Sequence, residues 1–204
     1  MRRLAGRVLG IIVALVLIAG AGVLGWYFFV YTKSPGYALN QFFVAAKAND
    51  VERVSRYTDK SGALMLLMMQ FGDPVQLIYP GYGRTDFGKV EKVEVSSITV
   101  EGETAKAQVT MEIVPSQGKR YTIRPIYVLR KTDEGWKVAV EATLAGSFNE
   151  FIPAALQQTL LRQIRNLTSN PMAAQAARMQ LQGVRAEIEK YPQLRDFLRK
   201  AGLY

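Results

Sequence analysis

The chain has 204 residues, with 26 Lys and Arg, 17 Asp and Glu, and neither His nor Cys. This composition excludes disulfides, thiolate catalysis and any Ser-His-Asp or Cys-His site, and it disfavours a zinc site. The net charge of +9 is spread along the chain without a dense Lys/Arg block, so we expect no nucleic-acid partner.

The stretch from Val8 to Tyr31 contains no charged side chain. As a helix it would be about 36 Å long, enough to cross a hydrocarbon core of roughly 30 Å. A signal peptide cleaved near Ala19-Gly20-Ala21 is the alternative, but the apolar run is longer than the usual core of about 7–15 residues. We therefore predict a retained transmembrane helix over residues 8–31, embedded in membrane lipid.

The charges that flank this stretch predict its orientation. Arg2, Arg3 and Arg7 precede it, and only Lys33 follows it closely. The positive-inside rule places residues 1–7 in the cytoplasm. The chain is therefore predicted to cross the cytoplasmic (inner) membrane once, with its main domain on the extracytoplasmic, periplasmic side.

Three helices are predicted after the anchor. Ser34-Pro35 begins the first, which ends at Asn49-Asp50, and residues 51–57 form the second. Ser61 is predicted to cap a third helix, reaching residue 71, that is apolar on every side. Such a helix is most simply buried, and a contact with a partner or with lipid is the alternative.

From residue 90 the apolar residues alternate with period two, which predicts strands. Four runs cover residues 93–100, 105–113, 121–129 and 136–144, and a change of phase at Ser96-Ser97 indicates a β-bulge. Glu112 and Glu141 lie opposite the apolar residues of their runs and are expected to face outward. Helices followed by an antiparallel meander predict an α+β fold, with the helices on one face of a curved sheet.

Two segments resemble the NTF2-like superfamily. They are Ser34-Pro35…Ala38…Phe42-Phe43…Ala46…Asp50…Val54…Tyr57 and Tyr127-Val128-Leu129-Arg130…Glu134-Gly135-Trp136-Lys137-Val138. Within it, membrane-anchored bacterial domains of the DUF4878 or lumazine-binding-like type look most similar. The resemblance implies a cone-shaped domain over residues 32–146. It implies no single function, because the superfamily includes isomerases, dehydratases, ligand binders and assembly modules.

Residues 147–204 are predicted to form a helical extension. Ser147 and Glu150 have the spacing of a capping box, and Asn170-Pro171 begins another helix. This extension either folds back on its own domain, docks on another membrane protein or on a second copy, or lies on the membrane surface. Its apolar face requires one of these partners, because an amphipathic helix in water needs that face buried.

Few polar residues are placed for chemistry inside the cone. Tyr57, Asp59, Tyr121 and Tyr127 are the candidate pocket residues, with the Asp as a base and a Tyr as a hydrogen-bond donor. The simpler interpretation makes the tyrosines part of the core and gives Asp59 a turn to cap. We assign no catalytic residue, metal or cofactor.

Two functional hypotheses remain. The first is a non-catalytic module that assembles with other membrane or envelope proteins, or with its own copy as a homo-oligomer. Its candidate partner-binding residues are Leu64, Met65, Met68, Met69, Leu181, Val184 and Ile188. The second is a small apolar ligand binder, or a weak enzyme, that uses the cone pocket.

Overall fold

The computed structural model describes residues 26, 30–65, 69, 73–83, 88–116, 118–152 and 154–204. Its helices are α1 (Pro35–Lys47), α2 (Val51–Arg56), α3 (Val75–Ile78), α4 (Val140–Gly146), α5 (Phe148–Phe151), α6 (Ala154–Thr168), α7 (Pro171–Gly183), α8 (Arg185–Ile188) and α9 (Pro192–Lys200). Its strands are β1 (Thr58–Asp59), β2 (Lys89–Glu101), β3 (Thr104–Val114), β4 (Tyr121–Ile123), β5 (Ile126–Thr132) and β6 (Gly135–Ala139).

Most of the predicted anchor lies outside the described residues. Of residues 8–31, the structure describes Trp26, Val30 and Tyr31, the last beginning a short 3-10 turn that leads into α1. No helix within the described part of the chain has the length and apolar character needed to span a membrane.

The first two helices begin where the sequence predicts, and each has a side-chain cap. Ser34 Oγ accepts a hydrogen bond from Tyr37 N at 3.1 Å, and Pro35 occupies the first turn of α1. Asp50 Oδ1 accepts from Arg53 N at 3.0 Å at the start of α2. These caps satisfy amide groups that a helix start leaves without an internal partner. The predicted beginnings of both helices are confirmed.

The sheet has the order β1-β6-β5-β3-β2, and β4 also pairs with β3. All its pairs are antiparallel except that of β1 with β6, which is parallel. The register of β2 against β3 shifts between Val95 and Ser97, which confirms the predicted bulge, and again between Val90 and Lys92. The predicted α+β fold, with helices packed on a curved sheet that contains an antiparallel meander, is therefore confirmed.

The last predicted strand is wrong beyond Ala139. The chain turns there into α4, so residues 140–144 are helical. Val140, Thr143 and Leu144 are buried, at the spacings of three and four residues that place side chains on one face of a helix. A short apolar run satisfies both the two-residue and the helical period, and here packing selected the helix.

The predicted capping box at Ser147 and Glu150 is also wrong. Ser147 precedes α5 but makes no side-chain cap bond. Its Oγ instead accepts from Ile126 N at 2.8 Å, while Glu150 Oε2 accepts from Arg124 N at 2.9 Å. Both side chains therefore accept from backbone amides between the end of β4 and the start of β5. Since β6 has already ended at this level, it does not pair with these residues.

The C-terminal helices fold back on the domain. The rings of Phe148 in α5 and Phe197 in α9 lie 4.9 Å apart between centroids. Leu161, Leu181 and Ile188 are buried in the same cluster as the residues between α1 and the sheet. The fold-back alternative for residues 147–204 is the one that the structure contains.

Candidate functional site

Tyr127 is fully buried, and its hydroxyl is already bonded. The hydroxyl donates a hydrogen bond to the carbonyl oxygen of Ile78, and its oxygen lies 3.6 Å from Met111 Sδ. The rings of Phe43 and Phe42 pack on it, with centroids at 5.1 and 6.1 Å. Burial raises the pKa of Tyr127 well above its ordinary value, so the phenol stays protonated. In this arrangement Tyr127 serves as a core residue with a satisfied hydroxyl.

Asp59 lies at the edge strand β1 and forms an ion pair. Its Oδ2 accepts from Arg130 Nη1 at 2.8 Å, and its Oδ1 accepts from Ser61 N at 2.8 Å. Arg130 Nη1 also donates to Ser61 Oγ at 2.9 Å. Asp59 therefore holds the turn after β1 onto β5, a structural role that matches the simpler interpretation of its sequence position.

The four candidate pocket residues do not meet at one point. Asp59 pairs with Ala139 of β6, and through Val138 and Leu129 this edge connects to Ala105 in β3. Tyr121 pairs with Ile113 at the far end of β3. At about 3.3 Å per residue, Ala105 and Ile113 are separated by roughly 26 Å of strand.

The remaining tyrosines occupy different surroundings. Tyr57 is half-buried where α2 ends, directly before β1. Tyr121 is 36 % exposed, and burial of the rest of its ring raises the pKa of its phenol. The four side chains therefore differ in burial and position, and they do not form a shared acid–base constellation.

A buried carboxylate at Glu141 was missed by the sequence reasoning. The residue is 5 % exposed, and its Oε2 accepts from Leu64 N at 2.9 Å and from Met65 N at 3.2 Å. Burial raises the pKa of Glu141, opposed by these two backbone bonds. The expectation that Glu141 faces outward is therefore wrong, because it assumed a strand where α4 begins.

The surroundings of Glu141 contain further titratable groups. Burial raises the pKa of Tyr191 to about 12, with smaller contributions from the carboxylates of Glu187 and Glu141. Arg130 lowers the pKa of Glu141, whereas Glu187 raises it. Gly62 lies directly against this carboxylate, since a Cβ at that position would approach Glu141 Oε2 to 2.0 Å. Glu141 therefore fastens residues 62–65 to α4, and no sequence signal marked it because its partners lie more than 70 positions away.

The candidate partner-binding residues include buried, half-buried and exposed side chains. Leu64 and Met65 are each 1 % exposed, and Ile188 and Leu181 are 0 % and 6 % exposed. Val184 is half-buried against the same core. Met69 is 51 % exposed, and Met68 lies outside the described residues.

A basic groove of about 230 Å³ lies beside the C-terminal segment. Arg178 and Arg185 flank it, but both are engaged there. Arg178 Nη2 donates to Gly202 O at 3.2 Å, and the Arg185 guanidinium lies 5.2 Å from the ring centroid of Tyr204. These contacts hold the end of the chain against α7 and α8. Among the described residues, no group of three or more acidic side chains is placed to hold a metal ion.

The fold and site can be set beside known proteins. No family model matches the chain, and no curated protein matches it. Similar solved structures include a SEC-C motif containing protein from Rhodopseudomonas palustris, with a TM-score of 0.41 and 12 % identity over 53 % of this chain and 77 % of that one. An NTF-2 like protein of unknown function from Shewanella oneidensis has a TM-score of 0.37 and 12 % identity over 50 % of this chain and 89 % of that one.

A third similar structure is a candidate NTF2-like transpeptidase from Campylobacter jejuni. Its TM-score is 0.31, with 15 % identity over 52 % of this chain and 98 % of that one. The structural neighbours thus include NTF2-like proteins. Similarities of this size assign neither an activity nor a partner.

Proposed function

We propose that this chain is a membrane-anchored, non-catalytic module that assembles with other membrane or envelope proteins outside the cytoplasm. The observation that carries the proposal is that the polar groups available for chemistry are already bonded within the domain. Tyr127 donates to Ile78, and Asp59 pairs with Arg130. A chain without His or Cys has few other groups suited to acid–base or nucleophilic work.

The domain itself, residues 32–146, is proposed to be an NTF2-like cone of the DUF4878 or lumazine-binding-like type. The helices-first order, the bulged β2 and the β5–β6 hairpin support this assignment. The turn of the chain into α4 after Ala139 is a departure from the meander that the resemblance implies.

The anchor is proposed to be residues 8–31, with the N-terminus in the cytoplasm. Its support is the uncharged sequence between Arg7 and Lys33. At its outer end Trp26 and Val30 are 58 % and 55 % exposed, and the rings of Trp26 and Tyr31 stack at 5.8 Å. Exposed aromatic side chains of this kind suit the membrane–water interface.

Protease accessibility tests this topology. Protease added to intact spheroplasts is expected to digest the bulk of a C-terminally tagged chain, and N-terminal sequencing of the mature protein is expected to begin before residue 8. Resistance to protease until lysis contradicts the orientation. A mature N-terminus just after Ala21 contradicts the retained anchor.

Crosslinking in native membranes, followed by purification, tests the assembly role. The full chain is expected to be recovered with covalently attached partners or copies. Met69→Gln changes an exposed apolar side chain among the candidate contacts, whereas Val51→Gln changes a 67 % exposed side chain on α2 as a matched control. Loss of partner with Met69→Gln alone supports a contact there, and a strictly monomeric chain without attached protein contradicts the proposal.

The ligand-binding alternative has weaker support. It requires a pocket of several hundred Å³ with converging polar groups. The interior between α1 and the sheet is instead occupied by side chains such as Phe42, Tyr127 and Met111, each fully buried. We therefore adopt the assembly role as the working function.

A further inference from the structure

Helix α7 has a second apolar side, which is exposed in the part of the molecule that the structure describes. Its inner side is buried through Leu181. Since successive residues turn by about 100°, Met172, Ala176, Met179 and Gly183 lie together on the opposite side. Met172 is 82 % exposed and Met179 is 58 % exposed. We call these four residues the outer stripe of α7.

The outer stripe carries no charge. Arg178, the single charged residue of α7, lies about 120° around the helix from the centre of the stripe and donates to Gly202 O. Gln175, Gln180 and Gln182 flank the stripe. An anionic lipid surface is recognised by Lys and Arg beside the apolar residues. An uncharged stripe with neutral borders suits a second apolar helix better.

The stripe alternates large and small side chains in a self-complementary order. When two copies of α7 are laid antiparallel about a two-fold axis between residues 177 and 178, Met172 faces Gly183 and Ala176 faces Met179. Each methionine then meets a residue that leaves room for it. The space above Gly183 is open, since a Cβ added there meets no atom within 4 Å.

We propose that the outer stripe of α7 is the contact between two copies of this chain, paired antiparallel with Met172 of each copy packed over Gly183 of the other. Such a contact is isologous, so the same surface serves both subunits and the assembly closes at two. The small residues allow close approach of the two helix backbones.

The size of this contact indicates where it forms. A helix of 13 residues is about 19 Å long, so the pair buries less than the roughly 800 Å² per partner of a standard interface. Confinement of both copies to one membrane raises their effective concentration and favours a weak contact. In this respect the inference rests on the proposed anchoring, and membrane fractionation of the same samples reports on the anchor separately.

Cysteine crosslinking of the full chain in membranes tests the pairing, since the protein has no native Cys. In the proposed pair, residue 176 lies about 4.5 Å along the axis from its own copy, as does residue 179, whereas residue 172 lies about 16 Å from its copy. Ala176→Cys and Met179→Cys are each expected to form crosslinked dimers. Met172→Cys is expected to crosslink only when co-expressed with Gly183→Cys. Val51→Cys, exposed on α2, is the control that stays uncrosslinked.

Gly183→Leu separates pairing from folding. It fills the space that receives Met172, so it is expected to lower the crosslinked fraction of Met179→Cys about tenfold, as overpacking of a close contact does. The melting temperature is expected to stay the same or rise, because leucine favours a helix more than glycine and a Cβ at this position meets no atom within 4 Å.

Three results would overturn the pairing. Crosslinking of Met172→Cys with itself means a parallel arrangement, and equal crosslinking of Val51→Cys means random collision. Protection of Met179→Cys from a water-soluble maleimide without any crosslink means that lipid or another protein covers the stripe. The expected crosslinks in a chain that fractionates away from membranes would support the pairing and contradict the anchor.

Discussion

Thr143 Oγ1 accepts a hydrogen bond from Val128 N at 3.0 Å and lies 3.3 Å from Val128 O, to which it donates. A helix side chain thus satisfies both backbone groups of one strand residue. Ser147 Oγ does the same for Ile126, accepting from N at 2.8 Å and lying 3.3 Å from O. Since β6 ends at Ala139, α4 and the residue after it close the part of the β5 edge that a longer strand would have paired.

Thr143→Val tests this closure. Thr143 is fully buried, so a valine of similar shape leaves Val128 N and O without partners and is expected to lower the free energy of unfolding by about 1–3 kcal/mol. Thr143→Ser keeps the hydroxyl and is expected to cost about 1 kcal/mol for the lost methyl. Chemical denaturation compares the two variants, and a Thr143→Val variant as stable as the parent would mean that the hydroxyl contributes nothing.

Ser147→Ala distinguishes the edge contact from a capping box. The amide of Ile126 loses its acceptor, so its hydrogen exchange is expected to accelerate, while the amides of α5 keep their rates. Exchange measured residue by residue by NMR checks this. Faster exchange at residues 149–150 without a change at Ile126 would restore the capping box.

Glu141→Gln is expected to alter the pH dependence of stability. Burial raises the pKa of Glu141 above its ordinary 4.5, so the folded state binds the proton more readily than the unfolded chain. The stability from this group is therefore complete below pH 4.5 and is lost as pH rises through the folded pKa. Glutamine removes this loss, so the variant is expected to be as stable as the parent, or more stable, at pH 7.

Two controls accompany this variant. Glu141→Ala leaves Leu64 N and Met65 N without an acceptor and is expected to destabilise at every pH, by about 1–3 kcal/mol. Lys137 lowers the pKa of the exposed Glu134, so the ionised carboxylate stabilises the fold. Glu134→Gln is therefore expected to lower stability at pH 7, the opposite of the effect expected for Glu141→Gln. Denaturation from pH 4 to 8 measures all three, and an unchanged profile in Glu141→Gln would contradict the assignment.

Tyr127→Phe is expected to lower the free energy of unfolding by about 1–2 kcal/mol, because the buried carbonyl of Ile78 loses its donor. Tyr121→Phe changes a phenol that is 36 % exposed and is expected to stay within about 0.5 kcal/mol of the parent. Thermal and chemical unfolding give both values. A Tyr127→Phe variant as stable as the parent would mean that the bond between its hydroxyl and the Ile78 carbonyl adds nothing to stability.

The sequence correctly predicted those features that depend on residues only a few positions apart. Ser34 and Asn170 each cap a helix through an amide two or three positions away, so their roles are readable from the chain. The bulge near Ser96-Ser97 follows from a change of phase within one strand. The same reasoning mistook α4 for a strand and Ser147 for a cap, because those segments satisfy two local patterns equally.

The candidate site residues likewise combine roles that the sequence predicts with long-range bonds that it does not. The tyrosines were expected to suit the core, and Tyr127 does, but its bond to Ile78 joins residues 49 positions apart. Asp59 was expected to cap a turn, and it does through Ser61, while its pair with Arg130 spans 71 positions.

By itself, the sequence determined the helices-then-meander order, the α+β class and the caps at Ser34 and Asn170, since backbone preference and hydrophobic period act over short distances. Only the tertiary structure decided that β6 ends at Ala139, that Ser147 and Thr143 bond to β5, and that Glu141 is buried beneath Leu64. Each of these depends on a backbone group brought close by folding. A buried polar atom bonds to whichever group packing brings close to it. That group can lie anywhere along the chain, so the local sequence pattern does not indicate it.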